Sequence, residues 1–303
     1  MSSPPHDASP PSAAAGRAPG PRRAIVLAGR RPGGDALAAG DGAAHRALLD
    51  IEGEPMLVRV VRRLLEWPSI ERVLVNIDRV DLLEPLPDLA RWCAEGRVEI
   101  LASTDSPSRS VLASLDRLDL REGPILVTTA DHALLDDAML ATFFTASEKS
   151  SADLCLGLVP RSVIRVRFPE ARRTYLKFRG EAYSGANLFY FRTEASREAA
   201  LFWQRVEGLR KRPWRIARAF GLRNLARFLM RRLTLPQAFV QVSRVLGIRA
   251  EAIPLPQAEA AVDVDKLDDL ILVRKILAER RRQAAPGSSS RSGSPTKPPV
   301  AAS

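Results

Sequence analysis

Cysteine is scarce in this 303-residue chain. Only Cys93 and Cys155 are present, which excludes a disulfide framework and cysteine-spaced zinc, and the two read as reduced core thiols. Long apolar runs are also missing: none approaches the ~20 residues that cross a bilayer. The opening MSSPPHDASPPSAAAGRAPGPRR lacks the apolar centre of a secretory signal, so the expected location is cytoplasmic. No internal repeat is visible. Nor does the apolar run near the start continue into G-x-G-x-x-G or G-x-x-x-x-G-K-[ST], the two common phosphate-loop spellings.

Charge of one sign is abundant, but it is concentrated. Residues 1–23, 205–232 and 280–303 carry +2, +9 and +5, so with +11 overall the rest of the chain is net −5. A mildly acidic body with basic tails and one basic segment does not match the face-wide footprint of a duplex binder, and nucleic acid is not the expected partner. With 46% hydrophobic residues there is material for a real core.

Residues 1–22 and 283–303 are rich in Pro, Ser, Ala and Gly, and are expected to be disordered because they bury too little apolar surface to offset chain entropy. Between them, in a domain expected over 23–282, strand-like runs alternate with helical patterns: AIVLAG, MLVRVVRRLLE, RVLVNI, VEILAS, SVLASLDRL, PILVTTA and DDAMLATFF. That alternation predicts an α/β fold, a right-handed βαβ sheet with helices on both faces and its functional crevice at the carboxyl ends of the strands. ADLCLGLV, RTYLKFR and ANLFYFR read as further strands, 194–248 as helical, and RAEAIPL and AAVDV as strands before a closing helix in KLDDLILVRKILAERRR.

Four places collect polar groups at predicted strand ends. AIVLAGRRPGGD, residues 24–35, joins an apolar strand to glycines that permit close ligand approach and to Arg30 and Arg31, which suits a phosphate cradle or an ordinary strand-to-helix turn. PILVTTADHALL delivers Asp131 and His132. SGANLFYF places Gly185 and Asn187 before an aromatic strand, and AAVDVDKLDDL sets Asp263 and Asp265 ahead of the last helix. A carboxylate leaving a buried strand needs a partner or a metal. Asp131 and Asp265 could supply two hard oxygen ligands for Mg²⁺; each also fits a helix cap.

Together these stretches resemble the MobA-like nucleotidyltransferase superfamily, which includes molybdenum-cofactor guanylyltransferase and the sugar-phosphate nucleotidylyltransferases. LAGRRPGGD followed by HRALLDIEGEPML is similar to the family's LAGG-x-G-x-R and K-x-L-L-x-x-x-G-x-P-M/L; ADHALL resembles its metal-binding aspartate, and VDVDKLDDL its closing V-D-x-D-T-P-E-D-L. The resemblance runs from about Arg23 to about Leu277 and is thinnest over 205–248. It implies a Rossmann-like three-layer α/β/α fold with a mixed, mostly parallel sheet of the nucleotide-diphospho-sugar transferase type, and a helical insertion at 205–248.

The resemblance also implies roles. Leu27, Ala28 and Gly29 would line the base and ribose, with Ser110 reading the base; Arg30, Gly33 and Gly34 would wrap the triphosphate. Arg46, standing where the family usually has lysine, would neutralise charge on the α-phosphate. Asp131 and Asp265 would hold Mg²⁺, and Asn187, Gly185 and Lys177 would face the acceptor. His132 is read as touching the acceptor or bonding to backbone, His45 as a solvated neighbour of Arg46, and Asp35 as serving a helix cap in preference to the metal or the ribose. The implied reaction is in-line attack by a phosphorylated small molecule on the α-phosphorus of an NTP, releasing pyrophosphate and needing no covalent intermediate. A metal-dependent glycosyltransferase using Asp263-Val-Asp265, and a catalytically silent binding protein, are the rival readings. In 205–232, RVEGLRKRPWRIARAFGLRNLARFLMRR, apolar residues recur at helical spacing between arginines; this fits peripheral contact with an anionic membrane, or a helical lid packed on the sheet.

Overall fold

The computed structural model describes residues 18–29, 36–171, 173–207, 226 and 230–284. Of the sequence-based expectations, those for Arg30, Gly33, Gly34, Asp35, most of the basic segment 205–232 and the greater part of both tails fall outside the described residues. Among the described residues, no helix is long and apolar enough to cross a membrane.

Among the described residues, eight strands make one sheet: β1 (Arg23–Leu27), β2 (Arg72–Ile77), β3 (Val98–Ala102), β4 (Ile125–Thr129), β5 (Leu154–Pro160), β6 (Leu176–Lys177), β7 (Ala182–Phe191) and β8 (Ala250–Pro254). Their order is β3-β2-β1-β4-β7-β5-β8, with β6 against β7. β1 pairs in parallel with β2 and β4, and β5 with β8, whereas β7 runs antiparallel to β4, β5 and β6. One reversed strand therefore sits inside an otherwise parallel sheet. Successive strands lie to either side of β1, so the topological switch point falls at the carboxyl ends of β1 and β4, where an open α/β sheet leaves a crevice.

Nine α-helices are described: α1 (Ala36–Gly40), α2 (Met56–Glu66), α3 (Pro87–Ala94), α4 (Pro107–Leu118), α5 (Asp137–Lys149), α6 (Arg161–Arg167), α7 (Arg197–Glu207), α8 (Leu235–Leu246) and α9 (Leu267–Ala284). Side chains alternate across the strands and so feed two cores. Ala24, Val26, Val73 and Val75 face α2, α3, α5 and α9, whereas Ile25, Leu74, Ile125 and Val127 face α4 and α7. This is the three-layer α/β/α arrangement.

Local chemistry sets the helix ends. Ser106 caps α4 and Asp136 caps α5 with side-chain oxygens. Thr234 and Gln237 close a capping box on α8, and Gly247 ends that helix in the left-handed region at φ 70°.

The structure corrects three expectations. AAVDV is not a strand: Ala258–Ala261 is a 3-10 turn, and the residues after it run extended with no ladder partner. RTYLKFR contributes only the two-residue β6. The disordered tail expected over 1–22 does not reach its end, because residues 18–22 pack on the body: Gly20 N donates to Glu148 Oε1 at 2.6 Å and Trp67 Nε1 donates to Pro19 O at 2.8 Å. Gly20 has φ +118° and lies flat on Phe144, where a Cβ would come within 2.4 Å of the ring.

Phe144 is fully buried and stacks at 5.7 Å from the Trp67 ring and 6.3 Å from Tyr190, so it joins the N-terminal segment, α5 and β7. Replacing it with alanine is expected to cost about 3–5 kcal/mol, read as a lowered midpoint in urea unfolding.

Candidate functional site

The crevice at the switch point is built first by backbone. Ala28 N donates to Asn76 O at 2.7 Å and Ala130 N to Leu27 O at 2.9 Å, so β1 stays stitched to β2 and β4 just past the strands. Gly29 then passes the exit of β3 so closely that a Cβ there would lie 3.1 Å from Ser103 Oγ. Leu27, Ala28 and Gly29 thus form the floor where the chain leaves the sheet.

Asp131 follows β4 directly. Thr129 Oγ1 donates to its Oδ1 at 2.5 Å, and its main-chain oxygen accepts from Val264 N at 3.0 Å. The helix-cap alternative is answered by position: α5 begins at Asp137, and its cap is Asp136, whose Oδ1 accepts from Met139 N at 3.0 Å. The single bond to Val264 lays the extended Val262–Asp265 stretch across the end of β4. In extended chain, residues i and i+2 share a side. Asp263 and Asp265 accordingly turn one way, while Val264, fully buried, turns the other.

One carboxylate oxygen each from Asp131, Asp263 and Asp265 therefore lies within 4.8 Å of the other two. Asp265 does not cap α9 either. That work falls to Asp269, whose Oδ2 accepts from the main-chain N of Asp265 and of Lys266, both at 3.3 Å. The structure adds Asp263 to the pair singled out in the sequence; the D-x-D spacing was the available signal for it. Burial first, and the Asp265 charge second, push the Asp263 carboxyl above the usual carboxylate range. Three half-buried carboxylates offering hard oxygens fit a Mg²⁺-type cation in donor chemistry.

Two arginines approach the cluster. Arg46 Nη2 donates to Asp265 O at 3.0 Å and Nη1 lies 3.4 Å from Asp265 Oδ1. Arg46 opens a 3-10 turn, Arg46–Leu48, capped by His45, whose Nδ1 accepts from Ala47 N at 3.1 Å while Nε2 lies 3.0 Å from Asp78 Oδ1. An accepting Nδ1 places the neutral ring's proton on Nε2, which donates to Asp78. His45 is 2% exposed, so it is a buried cap holding Arg46 in place and not the solvated neighbour expected. The second arginine, Arg173, was not singled out in the sequence. It pairs with Asp263 at 3.0 Å and with Asp269 at 3.0 Å.

The other candidates lie further off or are engaged elsewhere. Ser110, on α4, is buried and its Oγ accepts from Thr104 N at 2.9 Å, which holds the turn from β3 into α4. Asn187 lies two residues past the last β4–β7 pair, Val127 with Phe189, in the left-handed region at φ 49°. The left-handed turn comes from a bulge in β7. Leu156 pairs with Phe189 and Leu158 with Gly185, so Ala186–Leu188 oppose Gly157 alone. A Cβ on Gly157 would lie 3.2 Å from Leu188 Cβ, which is why glycine stands there. Gly185 is exposed on the same strand. Lys177 is exposed and pairs with Ala182, five residues from Asn187 and so about 16 Å along the strand.

His132, read as an acceptor contact or a backbone-bonded loop histidine, is 1% exposed and neither ring nitrogen has a hydrogen-bond partner. Both readings need a ring nitrogen that reaches solvent or a partner, and the structure provides neither. Burial depresses its pKa from 6.5 to about 4.

The stability consequence has a definite sign. Above pH 6.5 the ring is neutral whether folded or unfolded; as pH falls below 6.5 only the unfolded chain gains the proton, and stability is lost down to about pH 4. In EDTA, His132→Leu is expected to lose less stability than the native chain between pH 7 and pH 5, by about 2 kcal/mol, measured by urea unfolding at each pH.

The family described as MobA-like NTP transferase domain matches residues 24–211. No curated protein matches the chain. Among solved structures, the chain is similar to a hypothetical transferase from Thermus thermophilus at 28% identity and TM-score 0.68, covering 82% of this chain and 99% of that one. It shares its fold with CMP:2-keto-3-deoxy-manno-octonic acid synthetase complexed with CTP, at 13% identity and TM-score 0.51 over 86% of this chain and 99% of that one. The same holds for 4-diphosphocytidyl-2C-methyl-D-erythritol synthase from Anaerococcus prevotii, at 10% identity and TM-score 0.51 over 84% and 97%.

Proposed function

The chain belongs to the MobA-like NTP transferase domain family and is an enzyme of the nucleotidyltransferase type, and from that premise we propose that it moves a nucleoside monophosphate from an NTP to a phosphorylated small molecule in a Mg²⁺-dependent reaction. The observation that carries this reading is the meeting of Arg46 with Asp131, Asp263 and Asp265 at the carboxyl end of β4. Carboxylates that can hold a divalent cation, with a guanidinium beside them at a sheet's switch point, suit a reaction in which negative charge builds on a phosphoryl group. Glycosyl transfer, the rival enzyme reading, has no comparable support from the family to which the chain belongs.

In this reading the base and ribose rest against Leu27, Ala28 and Gly29, beside the turn that Ser110 holds. Arg30, Gly33 and Gly34, a few residues on in the chain and outside the described residues, are assigned to the triphosphate by the family resemblance. Asn187 and Gly185 on β7 face the acceptor, with Lys177 on β6, which pairs with the start of that strand. An acceptor phosphate oxygen attacks the α-phosphorus; the new P–O bond forms as the bond to the bridging oxygen of the β-phosphate breaks, and pyrophosphate leaves. Such a nucleophile is already ionised at neutral pH, so no general base is required, in keeping with His45, whose ring nitrogens are both engaged, and with His132, which is sealed in the core. Arg46 neutralises charge on the α-phosphate, its direction set by His45 and Asp265. Mg²⁺, held by Asp131 and Asp265 with Asp263 in reach, would supply charge neutralisation on the triphosphate when bound.

The test is pyrophosphate release from each NTP with Mg²⁺ and a panel of phosphorylated sugars, polyols and cofactors. At least one pairing is expected to turn over, and no release together with no NTP-induced rise in Tm would remove the reading. Asp131→Asn is expected to lower the rate by about 100-fold or more, with Tm in EDTA close to that of the native chain; activity at the native level would take Asp131 out of the metal site.

A further inference from the structure

Arg173 lies on the stretch between α6 and β6, far in sequence from every residue of the acidic cluster, yet its side chain is only 9% exposed. A buried guanidinium needs compensation on every arm. Here one arm meets Asp263 Oδ1 at 3.0 Å and the other meets Asp269 Oδ1 at 3.0 Å. These two carboxylates do different things. Asp263 belongs to the cluster itself, within 4.8 Å of Asp131 and Asp265. Asp269, on the first turn of α9 and 5% exposed, uses its second oxygen to accept from the main-chain N of Asp265 and Lys266. Through one planar fork, Arg173 thus grips one cluster carboxylate directly and the backbone of another by way of Asp269.

Geometry makes this a constraint that charge alone would not impose. Residues 262–265 have no sheet partner, so nothing in a strand ladder sets where Asp263 and Asp265 point. Val264 holds the stretch by a main-chain bond to Asp131, and Arg46 grips Asp265. Without the fork, Asp263 would lose its guanidinium partner beside the Asp265 charge, and the turn from Asp263 to Asp269 would lose its cross-brace. We propose that Arg173 is the positioning residue of the acidic cluster, setting the spacing of Asp131, Asp263 and Asp265 for a divalent cation through its simultaneous hold on Asp263 and Asp269. The inference rests on the reading of that cluster as a cation site.

The experiment uses the full chain without nucleotide and Mn²⁺ as the probe, its free concentration read by electron paramagnetic resonance, with Tm in EDTA recorded for each variant. Native chain and Asp131→Asn come first: binding by the native chain that Asp131→Asn abolishes supports the cluster as the site, whereas no binding by the native chain overturns that reading and this inference with it. Arg173→Lys is the decisive variant, because it keeps the positive charge and loses the fork. Its Mn²⁺ Kd is expected to rise about tenfold at temperatures well below its Tm. Asp269→Asn should raise the Kd as well, and the double variant should bind no more weakly than the weaker of the two singles, since both changes cut one chain of contacts. If native chain and Arg173→Lys bind Mn²⁺ equally, Arg173 contributes charge or stability only and the positioning role is overturned, while the cluster as a cation site stands. Additive losses in the double variant would overturn the route through Asp269.

Discussion

Three carboxylates that must stay within 4.8 Å of one another are the constraint around which the rest of the site is arranged. Two unit charges about 5 Å apart repel by about 3 kcal/mol at an effective dielectric near 20. Three such pairs make the cluster costly to hold unless positive charge lies close. The raised pKa of Asp263 is the visible mark of that cost, with burial and the charge of Asp265 both working against its ionised form. Arg46 and Arg173 answer it from two sides, Arg46 along Asp265 and Arg173 along Asp263. A divalent cation would complete the balance, which is why the hard-oxygen donor set and the arginines belong to one account.

Each of those groups is aimed by something that takes no part in chemistry. His45 spends both ring nitrogens, one on Ala47 and one on Asp78, so that the turn carrying Arg46 keeps its shape. Asp269 secures the backbone of Asp265 and Lys266, and so leaves the carboxylate of Asp265 turned toward the cluster. Asp136 caps α5 one turn after Asp131. In each case a neighbouring polar residue satisfies the helix or turn, and the functional carboxylate or guanidinium is not consumed as a cap. The β7 bulge works similarly, since it turns Asn187 into the left-handed region beside the end of β4 at the cost of a glycine across from it.

Much of this was legible before the structure. MLVRVVRRLLE predicts a helix because its apolar residues recur at three and four, and α2 spans Met56–Glu66 accordingly. RVLVNI is β2 residue for residue. Family motifs drew attention to Arg46, Asp131 and Asp265, and the sheet brings those three together. AAVDV differs from its expected strand because alternating apolar residues look the same in a strand and in an extended stretch whose alternate residues face an acidic cluster and a core. Asp263 was visible as half of a D-x-D pair, but its membership in the cluster depends on where Val264 attaches. Arg173 carried no signal at all, since nothing in RTYLKFR distinguishes a solvated arginine from one buried between two carboxylates ninety and more residues away.

By itself, then, the sequence determined the periodicities that make the layers, the local caps that end the helices, and the residue types from which a phosphate and cation site can be made. These depend on neighbours within a few positions, and short-range geometry is written in short-range pattern. Only the tertiary structure decided which of two plausible aspartates would cap a helix and which would face the crevice, that His132 would be sealed in the core, and that Arg173 would brace the cluster. Those outcomes turn on burial and on distances between residues far apart in the chain. The energy of a charge depends on what surrounds it, and those surroundings exist only once the sheet has brought Arg46, Asp131, Arg173 and Asp265 to one edge.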